Sequence, residues 1–301
     1  MFQSSLPRTI LAVLFLTAFV AAQCGKDNRS GKKGGIKVTD FTMTGTTTLT
    51  SDQLLRMTAD FIGNCYEDDS EELGERVRAA FQDQGYFAVE VKRLDFKPGD
   101  PLAIPKPVMI EAEVVEGPRY KVAQINFLNS HAFSEERLRQ EFPMKRGDVF
   151  RRGLVAGGLE SLRRLYGTIG YLDLMMIPET LPGSNATMTL NLSVEEGSQY
   201  HVGKLDVVAA KEAAARLQAA WKLVEGSPYD NAYIDDFIAN NRTLLPSSFS
   251  RENVDVGINC PDAQVAVRLM VDPSEDTPHS KPKNVPCKED EDKKKLKDDS
   301  K

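Results

Sequence analysis

Histidine is scarce in this chain: only His131, His201 and His279 occur in 301 residues, and they lie far apart. Without an HExxH or GxSxG pattern near them, neither a zinc centre nor a Ser-His-Asp arrangement has residues to draw on. Dinucleotide fingerprints and Walker motifs are missing too. The paired Gly157 and Gly158 of "GLVAGGLE" fall inside a helical pattern, where close packing explains them better than phosphate binding. An enzyme is therefore not expected, and neither is a cofactor or metal. An excess of positive charge is also lacking. The net charge is -6, with Lys and Arg interleaved among Asp and Glu, which argues against a surface that tracks phosphates and excludes nucleic acid as a partner.

Long hydrophobic runs are absent after the first residues. "MFQSSLPRTILAVLFLTAFVAAQCG" carries Arg8, an apolar run from Thr9 to Ala22 and then small residues, the three-part layout of a secretory signal. The run is shorter than the roughly 20 residues that span a bilayer. Cleavage after Ala22 is the first reading. Lipidation of Cys24 competes with it, although Gln23 stands where a lipobox places a small residue, and an uncleaved anchor is the third. Export permits disulfides. Of Cys24, Cys65, Cys260 and Cys287, only Cys260 and Cys287 lie near each other without intervening regular structure, so a bridge between them and free or differently paired thiols are both open.

What is present is a repeat. "VEGPRYKVAQINF" at 115–127 returns as "EEGSQYHVGKLDV" at 195–207, and the surroundings extend the match to three copies. Leu54, Leu138 and Leu217 each precede a glycine by nine residues, namely Gly63, Gly147 and Gly226, and an aromatic follows each glycine at Tyr66, Phe150 and Tyr229. "IKVTDFTM", "YKVAQINF" and "YHVGKLDV" alternate in the manner of strands with one buried face. "TSDQLL" and "SEERLR" begin helices with a hydroxyl cap, whereas "AKEAAARLQAAW" has helix formers without a strong cap. Second helices follow, with Leu73, Val77, Ala80 and Phe81 or Leu159, Leu162 and Leu165 at helical spacing, and then pairs of strands joined at "PGD", "LPGSN" and "NCPD". The fold class is α+β, three tandem β-α-α-β-β units. The acidic-glycine phrase is the junction between units, and its brevity implies a fairly stiff string. An apolar fraction of 41% suits several small cores better than one large one.

On "LRRLYGTIGYLDL", "VEEGSQYHVGKLDV" and "NSHAFSEERLRQEF" the chain resembles the POTRA domain family, the periplasmic repeats of Omp85- and BamA-type outer-membrane assembly proteins. The division is a signal peptide at 1–22, a linker at 23–35, POTRA-like domains at 36–117 and 118–198, a degenerate one at 199–273, and a disordered charged tail at 274–301. Family members continue into a membrane barrel. The tail here, with eight acidic and eight basic residues and little apolar content, is not expected to form one, and both a stand-alone protein and a shortened gene fit.

The resemblance implies a small sheet whose second strand lies at an edge, open to an extended segment of another chain. The edges are expected at 87–94, 172–177 and 253–258. The second is the chosen partner site, comprising Leu172, Asp173, Leu174, Met175, Met176 and Ile177, because its thioethers deform easily and because Lys92 and Arg93 guard the first. The implied partners are outer-membrane barrel proteins or an Omp85-type barrel in the periplasm, with membrane contact only through these or a lipid on Cys24. A scaffold or adaptor unrelated to barrel assembly, and a cell-division type of POTRA protein, are the alternatives.

Overall fold

The structure, a computed structural model, describes residues 36–46, 48–66, 70–103, 106–272, 274 and 282–286. The expected signal peptide and linker, Cys24, Cys287 and most of the tail lie outside the described residues.

The first repeat comprises β1 (Ile36–Thr44), α1 (Ser51–Ala59), β2 (Cys65–Tyr66), α2 (Ser70–Asp83), β3 (Glu90–Pro98) and β4 (Lys106–Val115). The second comprises β5 (Lys121–Leu128), α3 (Glu135–Glu141), α4 (Arg152–Gly167), β6 (Met175–Gly183) and β7 (Thr187–Glu195). β8 (His201–Val208), α5 (Lys211–Ala220), α6 (Tyr233–Asn240), β9 (Val254–Asn259) and β10 (Gln264–Met270) make the third. Within each, the first long strand runs parallel to the last, and the middle strand joins the last antiparallel. The sheet orders β2-β1-β4-β3, β5-β7-β6 and β8-β10-β9 leave β3, β6 and β9 on edges. Contacts group the second and third sheets, together with Gln82–Tyr86, in one compact unit and the first sheet in another.

The threefold pattern has a physical cause that is the same in each copy. Gly63, Gly147 and Gly226 have φ of 82°, 91° and 83°, a backbone region that disfavours any residue with a Cβ. In that conformation each donates its N–H to the carbonyl of Val38, Val122 or Val202 at 2.8 Å, folding the loop after the first helix back on the first strand. The chain then bridges that strand antiparallel, as β2 in the first repeat and as single bridges, Lys121 with Val149 and His201 with Pro228, in the others. Phe150 and Tyr229, the aromatics after the glycine, are thereby driven to full burial. Each first strand also slips its register once against its parallel neighbour, just after Val38, after Val122 and between Val202 and Leu205, a bulge carried by all three repeats.

Helix starts follow local chemistry. Thr50 caps α1 in a full capping box with Gln53, and Ser134 accepts from the Arg137 N–H at the head of α3. α5 begins at Ala210 with no side-chain cap. Leu138 and Leu217 are fully buried, whereas α1 instead buries Met57 and Thr58. On α2, Leu73, Val77 and Phe81 reach zero exposure, and on α4 Leu162 and Tyr166 do, with Gly158 beneath the Phe142 ring. α6 is shorter than its apolar pattern because "NNRTLL" breaks after Asn240 into a turn, where the Arg242 guanidinium donates to the Phe249 carbonyl at 2.9 Å.

Candidate functional site

β6 pairs with β7 from Met175–Glu195 to Gly183–Thr187, and among the described residues nothing pairs with its other side. Alternation puts Met176 opposite the buried Val194, facing the helices, and Met175 opposite Glu195 on the outer face. Met175 is 58% exposed, Ile177 52% and Leu181 43%, so three large apolar side chains line one face of a free edge. Across the sheet, Leu128 and Ile177 flank Ser193 in register, and Leu128 is exposed as well. A polar rung lies beside them: the Asn126 amide donates to Asn191 at 2.8 Å, and Asn191 donates to Glu179 at 3.5 Å.

The strand starts later than its sequence suggests. Leu172, Asp173 and Leu174 precede β6 and do not belong to the edge, which corrects the expected span at three of its six residues. The chain is still making the junction to the third repeat there. Tyr200 donates its N–H to Gly170 at 2.8 Å, and Tyr171 bridges Gln199. Leu172 packs against the core of the third repeat, Leu174 is buried, and Asp173 accepts the Tyr200 hydroxyl at 2.5 Å. Alternation towards a solvent edge begins only at Met175.

Two prolines lie on the strand. Pro178 and Pro182 share the parity of Met176 and Thr180, opposite Leu192 and Met188. Proline is accepted on an edge strand where its missing N–H would point away from the sheet. By that rule the free edge offers N–H donors at Met176 and Thr180, and carbonyls at all four even positions. The edge is therefore half-blunted: it can take a short added strand but is a poor template for endless pairing.

The other two edges differ. β3 is lined with ion pairs, Lys92 with Glu90, Arg93 with Asp95 at 3.0 Å and with Glu113 at 3.8 Å, and Lys97 with Glu111, and it exposes charge where β6 exposes methionine and isoleucine. β9 has its outer side partly occupied by residues 282–286.

The acidic residue of the repeated phrase belongs to the scaffold of the site. Glu196 takes the N–H groups of His131 and Ala132 at 2.7 and 2.8 Å and the Tyr166 hydroxyl at 3.0 Å, tying the end of β7 to the loop that leads into α3. Partial burial pushes its carboxyl upward, but the two backbone N–H groups and the Tyr166 hydroxyl outweigh this and hold it below the ordinary value. Tyr166 is pushed well above the usual phenol range, by burial first and then by its bond to Glu196. Glu116 does the same work in the first repeat, accepting the Thr48 N–H and, at 2.6 Å, the Thr48 hydroxyl. The signal for this role was in the sequence, as the same acid before the same glycine in two copies.

No group of three or more His, Cys, Asp or Glu residues gathers for a metal among the described residues, and no described helix is long and apolar enough to cross a membrane.

A β-α-α-β-β unit with its middle strand on an edge defines the class, and comparison with known proteins agrees. A family model described as "POTRA: Surface antigen variable number repeat" matches residues 120–197, the second repeat. The second repeat is thus similar to the POTRA domain family. It is 25% identical over 166 residues to a "Putative outer membrane protein assembly factor" of Treponema pallidum (strain Nichols), a match spanning 51% of this chain and 19% of that relative. The crystal structure of Haemophilus influenzae BamA POTRA3-5 superposes with a TM-score of 0.53 at 17% identity, covering 78% of this chain and 96% of that one, a likeness of fold.

Proposed function

We propose that this chain is a periplasmic binding module, without catalysis of its own, that holds extended segments of outer-membrane barrel proteins or of an Omp85-type partner as an added strand on β6. The observation that carries the reading is the outer side of β6, which is unpaired among the described residues and where Met175 and Ile177 stand exposed on one face. Backbone hydrogen bonds supply affinity that is indifferent to client sequence, and the soft Met175 side chain adapts to varied neighbours. The assembly factor among its relatives points to the same class of client. Only three of the six residues first assigned to the site, Met175, Met176 and Ile177, take part. Asp173 and Leu174 hold the strand's entry instead.

The test is site-specific photo-crosslinking in the exported protein, with the reactive residue at Met175 or Ile177 and, as a control, at Arg163 on α4. Adducts with outer-membrane barrel proteins from the two β6 positions and not from Arg163 are expected. Equal labelling at all three positions, or β6 adducts with other proteins alone, contradicts the proposal.

A further inference from the structure

The third repeat carries an edge of the same kind, and the chain itself occupies it. The tail read as disordered from residue 274 contains a short strap, residues 282–286, that is laid along β9. Val285 donates its N–H to Ile258 at 2.8 Å, and Cys260 donates its N–H to Val285 at 3.0 Å, a parallel bridge between Asn259 and Val285. The Asn284 side chain accepts the Ile258 N–H at 2.9 Å. The strap has thus added itself to the sheet order β8-β10-β9 by the means through which an extended peptide from another chain would bind.

Three features of the sequence fit this contact. Gly257 lies mid-strand, where glycine weakens a sheet, and a Cβ there would come within 2.5 Å of the Pro282 Cβ and 2.9 Å of its carbonyl carbon. The glycine makes room for the strap. Pro282 and Pro286 bracket the strap and lack N–H groups, so the strap closes the edge without presenting a full new one. Cys260 is disulfide-bonded. The strap also lines one shallow cleft with Asp173 and Tyr200, at the entry to β6.

We propose that the β9 edge is a second strand-acceptor site, held closed in the free chain by residues 282–286, and that it takes an extended segment of another polypeptide only when this strap is displaced. The inference stands apart from the reading of β6, since either edge can act without the other.

The experiment is residue-resolved amide hydrogen exchange on the full chain with the Cys260 disulfide reduced and its thiols blocked, with and without a peptide copying residues 279–286. In the unsubstituted chain the Ile258 and Cys260 amides exchange slowly and the peptide has no effect. Val285→Pro removes the strap's donor outside the core of the domain. It should speed exchange at Ile258 and Cys260 by about tenfold or more, leave Val265, Val267 and Leu269 protected, and let the added peptide restore the slow rate. Gly257→Val should free the same two amides yet take up no peptide, because the added side chain blocks any occupant. Unchanged protection in Val285→Pro, or freed amides that the peptide does not protect again, overturns the proposal.

Discussion

At the scale of single residues, two adjacent glycines separate packing from propensity. Gly158 of α4 lies under Phe142, whose ring atoms would come within 2.6 Å of an added Cβ, whereas nothing lies within 4 Å of such an atom at Gly157. Gly158→Ala should cost about 1–3 kcal/mol as the ring is forced aside. Gly157→Ala should stabilise by about 0.5–1 kcal/mol through helix propensity. Urea denaturation of the two variants checks both signs. Glu196 gives a pH-dependent test. Its carboxyl is held below the ordinary value when folded, so its contribution is complete above the unfolded value of about 4.3 and is lost as pH falls through the folded one. Glu196→Gln should cost about 1 kcal/mol at pH 7, a figure kept low because the group is partly solvated, and its deficit should shrink in thermal melts below about pH 4. Close packing, expected from the sequence for both Gly157 and Gly158, holds for Gly158 alone, whereas Gly147 is the fixed point of the repeat that the spacing marks. The sequence did not show that Glu116 and Glu196 reach back to the strand-to-helix loop, because that contact joins positions more than sixty residues apart.

At the scale of elements, helix caps and strand pairing were legible because both depend on neighbours in sequence. Thr50 and Ser134 cap as their spacing implies, and α5 lacks a side-chain cap as its sequence implies. Ala210→Asp should therefore stabilise the third repeat by about 1 kcal/mol, read from its unfolding midpoint. The start of β6 was not legible, since Leu172 and Leu174 alternate like a strand while a junction that only the fold creates claims them along with Asp173. Pro178 and Pro182 were in plain view, but their meaning depends on which side of the ladder they face. Replacing both with threonine returns two N–H groups to the free edge, so the variant should self-associate at concentrations where the parent stays monomeric by analytical ultracentrifugation. Thr180→Pro makes the opposite change, removing a donor from the edge while leaving the ladder to β7 intact, and it should weaken client capture without lowering stability.

At the scale of the whole molecule, three sheets that share one order of first, last and middle strand show that a repeat can be read as architecture from few fixed points: a glycine, here with positive φ, and an aromatic three residues on. The leucine nine residues before the glycine is buried only in the second and third copies. What the repeat could not reveal is how unlike the three edges are. β3 is guarded by ion pairs, β9 is partly covered by the strap, and β6 is left open among the described residues, differences set by side chains outside the repeated positions. Peptide mapping of the full chain under non-reducing conditions should find Cys260 joined to Cys287, two residues beyond the strand-bridged Val285. The central claim is that β6 receives a client's backbone, and amide exchange across the full chain with an unfolded outer-membrane barrel protein added tests it most directly. The account predicts slowed exchange at Met176 and Thr180, the donors on the open side, with the already buried amides of β7 unchanged. Slowing confined to β3 or to the helices, with Met176 and Thr180 exchanging as they do in the free chain, would contradict it.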